Sequence, residues 1–153
     1  RYRERWKVFD GFLEWTARYM QRMGMRTVRP HGGDDDRMAR YAAGIPFLHS
    51  ILPDYGVRGG MSHENAVYCV GDGKPVFHAL TGGPNSGEAL LREVRARVRD
   101  QRPAFVNAFM VNWFMNMDAM QEAFDKRDAD MVFVTPAQLA ELYLEARQKG
   151  WAK

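Results

Sequence analysis

Segments with a helical pattern alternate with strand-like segments along the whole chain of 153 residues. Two of the strand-like segments, "IPFLHSIL" and "MVFVT", are apolar at successive positions, whereas a half-exposed strand alternates apolar and polar residues. Strands buried on both faces are typical of a parallel sheet that helices cover on the outside. The sequence therefore predicts an α/β fold, with a mostly parallel sheet of about five or six strands and flanking helices.

The number of repeating units limits the shape of this sheet. Five helical patterns with five or six strands are too few for a closed eight-stranded barrel, so we expect a partial or distorted barrel-like sheet, or a small layered fold. The length suits a single domain over residues 1–153. Because Arg1 lies inside a helical pattern and is not an initiator methionine, we expect the chain to be part of a longer protein.

Charge and cysteine content narrow the function classes. The net charge is only +3, and the arginines of residues 92–102 interleave with Glu93 and Asp100, which is typical of a solvated helix face, so nucleic acid is not a favoured partner. No apolar stretch approaches the roughly 20 residues that cross a bilayer. The single cysteine, Cys69, excludes an internal disulfide, and its apolar surroundings in "AVYCV" predict a buried, inert thiol. The cysteine content does not indicate the cellular compartment of the protein, because many exported proteins also lack disulfides.

Three consecutive aspartates, Asp34, Asp35 and Asp36, separate the strand-like "MRTVRP" from the helical "DDDRMARYAA". An aspartate at the N-cap accepts hydrogen bonds from free backbone N–H groups, and further acids in the first turn oppose the helix dipole. The first interpretation is therefore the start of a helix. Capping needs only one aspartate, so a second interpretation stays open, in which at least one carboxylate faces a ligand.

Ligands of parallel α/β folds gather at the carboxyl ends of the strands, where loops converge and helix N-termini point inward. Glycoside hydrolysis commonly needs two carboxyl groups across the scissile bond, and Asp36 with Asp54 form the candidate catalytic pair. Trp113 beside two asparagines is a candidate sugar platform, with a core position as the alternative. The candidate substrate-binding residues at these strand ends are Arg29, His31, Asp34, Asp35, Tyr55, Asn112, Trp113 and Asn116.

The sequence contains no recognised metal-binding or nucleophile motif. Neither His31 with the aspartates nor His63 with Glu64 shows a recognised ligand spacing, so we predict no metal site. His49 and His78 lie in apolar runs and are interpreted as hydrogen-bonded core histidines, although His78 also falls near a strand end. No nucleophile elbow, phosphate loop or dinucleotide fingerprint is present, and no cofactor is predicted.

The segment "PAFVNAFMVNWFMNMDAMQEAFDKRDADMVFVTPAQLAELYLEA" resembles the C-terminal end of the GxGYxYP putative glycoside hydrolase family. The segment "YMQRMGMRTVRPHGGDDDRMARYAAGIPFLHSILPDYG", followed by "GKPVF", is similar to the preceding β-α steps of that family. The naming motif G-x-G-Y-x-Y-P is absent from the chain. This resemblance implies the C-terminal part of a barrel-like, carbohydrate-active protein with no assigned reaction. The implied partners are a carbohydrate and an upstream domain of the same protein.

The closing "VTPAQLAELY" is also similar to the end of polysaccharide deacetylases, whose metal motifs are not found in this chain. Three hypotheses follow. The first is a glycoside hydrolase-like domain that acts through paired carboxylates. The second is a non-catalytic module that binds a saccharide or a partner domain through the same face. The third is a metal-dependent polysaccharide deacetylase-like enzyme.

Overall fold

The computed structural model describes residues 2–31, 34–54, 66–81, 84–99, 103–109 and 117–153. Within these residues the chain forms five helices and four strands. In chain order, with labels of our own, the elements are α1 (Tyr2–Arg22), β1 (Thr27–Val28), α2 (Asp35–Gly44), β2 (Ser50–Ile51), β3 (Val67–Val70), β4 (Lys74–Phe77), α3 (Gly87–Val98), α4 (Met117–Asp125) and α5 (Pro136–Gln148).

The four strands form one mixed sheet in the order β1-β2-β4-β3. The pairs β1 with β2 and β2 with β4 are parallel, and β3 runs antiparallel to β4. A parallel bridge between Ala79 and Asn107 extends the pairing beyond the end of β4. The predicted α/β class with a mostly parallel sheet is confirmed. The strands β3 and β4 form a hairpin around the sequence "GDGK".

Helices cover both faces of the sheet. Because successive strand residues point to opposite sides, neighbouring residues enter different cores. Ile51 and Val76 pack into a core with residues of α1 and α2, such as Leu13 and Met38. Their neighbours Leu52 and Phe77 belong to a second core on the other face, which α5 closes. This two-sided burial explains why the strand segments read as continuous apolar runs.

The helices α3 and α4 approach each other closely at Gly87, the first residue of α3. A Cβ atom at this position would lie 2.3 Å from the backbone nitrogen of Ala123 and 2.4 Å from the carbonyl oxygen of Ala119. Only a residue without a side chain fits there, so Gly87 sets the distance between the two helices. Leu90 and Val94 of α3 then share a third apolar cluster with Ala123.

One strand prediction differs from the structure, and a second apolar segment contributes little to the sheet within the described residues. The segment 131–135, "MVFVT", was predicted as a strand, which is wrong, because none of its residues joins the sheet ladder and Val132 and Phe133 are exposed. In the β-prone run that begins at Pro103, residues 103–109 contribute only the bridge at Asn107. The described residues form an open sheet of four strands, so the predicted five or six strands and the barrel-like shape are not confirmed.

The helix boundaries follow the local sequence signals. Thr135 caps α5 in a capping box with Gln138, Pro136 occupies the first turn, and Gly150 follows the helix with a φ of 72°. Gly24 ends α1 with a φ of 66°, which favours glycine. None of the helices formed by the described residues is long and apolar enough to span a bilayer.

Candidate functional site

The carboxyl ends of the parallel strands lie along one edge of the sheet. Past β1 and β2, the N–H of Leu52 donates to the carbonyl of Val28 at 2.9 Å, and the N–H of Asp54 donates to the carbonyl of Pro30 at 3.1 Å. The N–H of Ala79 likewise donates to the carbonyl of Pro53 at 3.1 Å. Three chain segments therefore end side by side, and we call this edge the rim.

Two predicted site residues meet at the rim. Nδ1 of His31 lies 3.2 Å from Oδ1 and 3.4 Å from Oδ2 of Asp54. The His31 side chain is 82% exposed, whereas that of Asp54 is only 21% exposed. The pair therefore combines a half-buried carboxylate with an imidazole that solvent and ligands can reach. A protonated His31 would make this contact an ion pair.

The three consecutive aspartates have three different environments. Asp34 is the N-cap of α2, and its side chain accepts a hydrogen bond of 2.9 Å from the backbone N–H of Arg37. Asp35 accepts a hydrogen bond of 2.8 Å from the hydroxyl of Tyr68. Asp36 is exposed, and its side chain forms no hydrogen bond or ion pair within the described residues. The helix-start interpretation is thus confirmed for Asp34.

Tyr68 connects Asp35 to a buried histidine. Tyr68 pairs with Val76 in the hairpin, so His78, two residues further along, lies diagonally across from it on the same face. The two rings stack with centroids 5.6 Å apart, and the Tyr68 hydroxyl lies 3.0 Å from Nε2 of His78. Because the single hydroxyl hydrogen goes to Asp35, Nε2 of His78 must carry a hydrogen and donate to Tyr68.

This chain of hydrogen bonds confirms His78 as a hydrogen-bonded core residue, buried at the end of β4. Sequence reasoning did not select Tyr68. The available signal was a tyrosine inside the apolar run "AVYCV", because a tyrosine in such a run needs a partner for its hydroxyl group.

Asn107 is a second residue that sequence reasoning missed. It is buried, and its Nδ2 atom donates to the carbonyl of Pro53 at 3.0 Å and to the carbonyl of Phe77 at 2.9 Å. Both amide hydrogens are therefore used to join the ends of β2 and β4. Nearby, Thr81 and Phe109 exchange two hydrogen bonds of 2.8 and 2.7 Å, which fix the segment 103–109 at the rim.

Of the other predicted site residues, the structure describes only Arg29. Arg29 is exposed directly after β1, at the same edge as His31. The remaining candidates lie outside the described residues: Tyr55, Asn112, Trp113 and Asn116. Across the part of the chain that the structure describes, no three side chains of His, Cys, Asp or Glu are grouped so that they could hold a metal ion.

Cys69 lies away from the rim hydrogen bonds, on the face covered by α5. It is half-buried rather than buried as predicted, and Nη1 of Arg147 donates to its Sγ at 2.8 Å. Burial, and to a smaller extent the neighbouring Cys69 thiol, raise the pKa of Tyr143 from 10.0 to about 12. The hydroxyl of Tyr143 donates to the carbonyl of Lys153 at 2.7 Å.

An open, mostly parallel sheet with helices on both faces, and polar side chains where its strands end, defines an α/β domain with a strand-end site. Residues 2–144 match the family model described as the GxGYxYP putative glycoside hydrolase C-terminal domain, and the chain belongs to this family. Membership supports a carbohydrate-related role at a coarse level.

Neither curated proteins nor solved structures give a match to the chain. The similarity to polysaccharide deacetylases is not shown by any of the comparisons.

Proposed function

We propose that the chain is a carbohydrate-active domain that takes a glycan at the rim, where Asp54 and Asp36 act as paired carboxylates. The observation that carries this proposal is the 3.2 Å contact between His31 and Asp54, which joins the ends of two neighbouring parallel strands. Family membership supports a carbohydrate as the substrate class, since the family is one of putative glycoside hydrolases.

Asp54 suits a role in acid or base chemistry. Its carboxylate is largely shielded from water, and His31 beside it is exposed to an incoming ligand. A sugar hydroxyl or a glycosidic oxygen that reached this pair would meet the carboxylate of Asp54 as a hydrogen-bond acceptor and the imidazole of His31 beside it, 3.2 Å away. Arg29, exposed at the same edge, adds a donor for sugar hydroxyls.

Asp36 is our choice for the second carboxylate because the fold uses the other two aspartates. Asp34 caps α2, and Asp35 accepts from Tyr68. Tyr68 and His78 thereby hold the first turn of α2 against the sheet, which orients Asp36 on the same turn. Asp35 was predicted from its place at the strand end to bind substrate. Because its carboxylate accepts from Tyr68, we assign it a positioning role instead.

The other proposed substrate contacts are Tyr55, Asn112, Trp113 and Asn116. Tyr55 follows Asp54 directly, and the segment 103–109, anchored at the rim through Asn107, precedes the other three in sequence. We propose that Trp113 stacks on a sugar ring while the two asparagines bind its hydroxyls.

A second candidate function is a non-catalytic module that binds a saccharide through the same rim. The observation that favours it is the structural use of Asp34 and Asp35, which leaves one aspartate of the three without a partner in the described residues. Such a module would bind a glycan and leave it intact. A metal-dependent deacetylase-like enzyme is the third hypothesis.

A panel of unlabelled glycans tests these functions, with reducing-sugar release and calorimetric binding measured in parallel. Asp54→Asn and Asp36→Asn are expected to abolish release while the protein stays folded. The matched control is Asp72→Asn, because Asp72 lies in the exposed turn before β4, at the opposite end of that strand from the rim. Binding without release would favour the module, and chelator-sensitive loss of acetyl groups would favour the deacetylase. The absence of any glycan binding would contradict all three functions.

A further inference from the structure

The helix α1 carries two apolar faces, and in the part of the chain that the structure describes only one of them is packed into the core. Leu13 and Met20 are buried in the core that α1 shares with α2. A second set of large apolar side chains is exposed and lies along one side of the helix, at spacings of four, three, four and four residues. This set, which we call the α1 stripe, consists of Val8, Phe12, Trp15, Tyr19 and Met23.

The α1 stripe is continuous and uncharged. It extends over about 22 Å of helix, from the rise per residue of an α-helix. Trp15 and Tyr19 stack at its centre, with ring centroids 5.7 Å apart and planes 10° from parallel. The ion pair of Glu14 with Arg18 lies on a different side of the helix.

Such a surface is unusual on an isolated domain. Soluble monomers rarely expose contiguous apolar patches of more than a few hundred Å², and larger patches mark sites of association. Interfaces between domains of one chain resemble protein–protein interfaces, which are sites of association of this kind. Val8 and Met23, at the two ends of the α1 stripe, offer no group that hydrogen-bonds a sugar hydroxyl, so the composition favours a protein partner over a glycan.

We propose that the α1 stripe is the docking surface for the domain that precedes this one in the same polypeptide. The family model that matches residues 2–144 is described as a C-terminal domain, and α1 is the first element in that match. The family takes its name from G-x-G-Y-x-Y-P, a motif that these 153 residues do not contain. A C-terminal domain has other parts of its protein before it in sequence, and α1 is the element nearest to those parts along the chain.

Hydroxyl-radical footprinting of the natural full-length protein, read by mass spectrometry, tests this proposal. Trp15 and Trp151 are both 63% exposed in the described domain, so Trp151 is an internal standard for Trp15. Trp15 is expected to oxidise several-fold more slowly than Trp151, and Met23 more slowly than the exposed Met117. Equal oxidation of the two tryptophans would overturn the proposal, as would a natural protein with no preceding domain.

Other occupants give different results. Protection of Trp15 that disappears on dilution would identify a second copy of the chain, and protection that requires added glycan would identify a saccharide. Either result would overturn the proposal. Trp15→Arg in the full-length protein is expected to raise oxidation at Tyr19 and Met23 several-fold, whereas Trp151→Arg leaves it unchanged. Both substitutions are at exposed positions, so the domain itself is expected to stay folded.

Discussion

The hydroxyl oxygen of Tyr68 lies 3.0 Å from Nε2 of His78, and the two rings stack across the antiparallel hairpin of β3 and β4. The same hydroxyl donates to Asp35, so one side chain joins the sheet to the first turn of α2. This connection makes the start of α2 depend on the register of the hairpin.

Tyr68→Phe is expected to lower the free energy of unfolding by about 1–3 kcal/mol, because both hydrogen bonds are lost and Nε2 of the buried His78 no longer has the hydroxyl as acceptor. Urea denaturation measures the change. The control is Tyr19→Phe on the exposed side of α1. Equal stability of the two variants would contradict the assigned hydrogen bonds.

Asp34→Ala is expected to cost about 0.5–2 kcal/mol, because it removes the cap that binds the N–H of Arg37. Asp36→Ala, two residues later and exposed, is expected to change stability by less than about 0.5 kcal/mol. Thermal and chemical unfolding of the two variants side by side measure the difference. A larger loss for Asp36→Ala would show that the wrong aspartate has been assigned as the cap.

Gly87→Ala is expected to destabilise the protein by about 1–3 kcal/mol or more, because the added methyl group would overlap the backbone of α4. Gly11→Ala is the matched control, since Gly11 lies within α1 and nothing would lie within 4 Å of the new Cβ. That substitution is expected to stabilise α1 by roughly 0.5–1 kcal/mol. Similar melting temperatures for the two variants would contradict the close approach of α3 and α4.

Tyr143 gives a pH dependence of stability. Its folded pKa of about 12 lies above the usual 10.0, so the folded state holds the phenol proton more tightly. This stabilisation is present in full below pH 10 and is lost as the pH rises from about 10 to 12, by roughly 3 kcal/mol in total.

Tyr143→Phe lacks this titration and also loses the hydrogen bond to Lys153. The stability gap between the natural protein and the variant is expected to narrow as the pH rises above 10. Denaturant unfolding at several pH values measures it. A gap that stays constant up to pH 12 would refute the assigned shift.

His31→Ala separates function from stability at the rim. The side chain is exposed, so its contact with Asp54 is expected to contribute less than about 1 kcal/mol to folding. If the rim binds a glycan as proposed, affinity is expected to fall about tenfold, which corresponds to roughly 1.4 kcal/mol. Calorimetric titration measures affinity, and the exposed Arg22→Ala on α1 is the control.

The sequence predicted those features that depend on local patterns. Strand segments that are apolar at successive positions predicted the parallel sheet, and the three consecutive aspartates predicted the start of α2. The segment "MVFVT" has the same apolar character as a strand, yet Val132 and Phe133 lie at the surface, because only the tertiary arrangement decides which apolar runs find a ladder partner.

The contacts of the site were less accessible to sequence reasoning. That His31 and Asp54 meet follows from the general rule for strand ends. The link from Asp35 through Tyr68 to His78 depends on the pairing of Tyr68 with Val76, and nothing in the local sequence specifies that register. Which of three consecutive aspartates becomes the cap likewise depends on where the first helical turn begins.

Asn107 ties the two central strand ends together with both of its amide hydrogens. A ligand arriving at this edge would therefore meet backbone already held in place, and little conformational entropy would be lost in ordering it. Replacement of Asn107 by aspartate would turn two attractive contacts with carbonyl oxygens into repulsive ones, so the preorganisation of the edge depends on this side-chain amide as well as on the backbone hydrogen bond from Ala79 to Pro53.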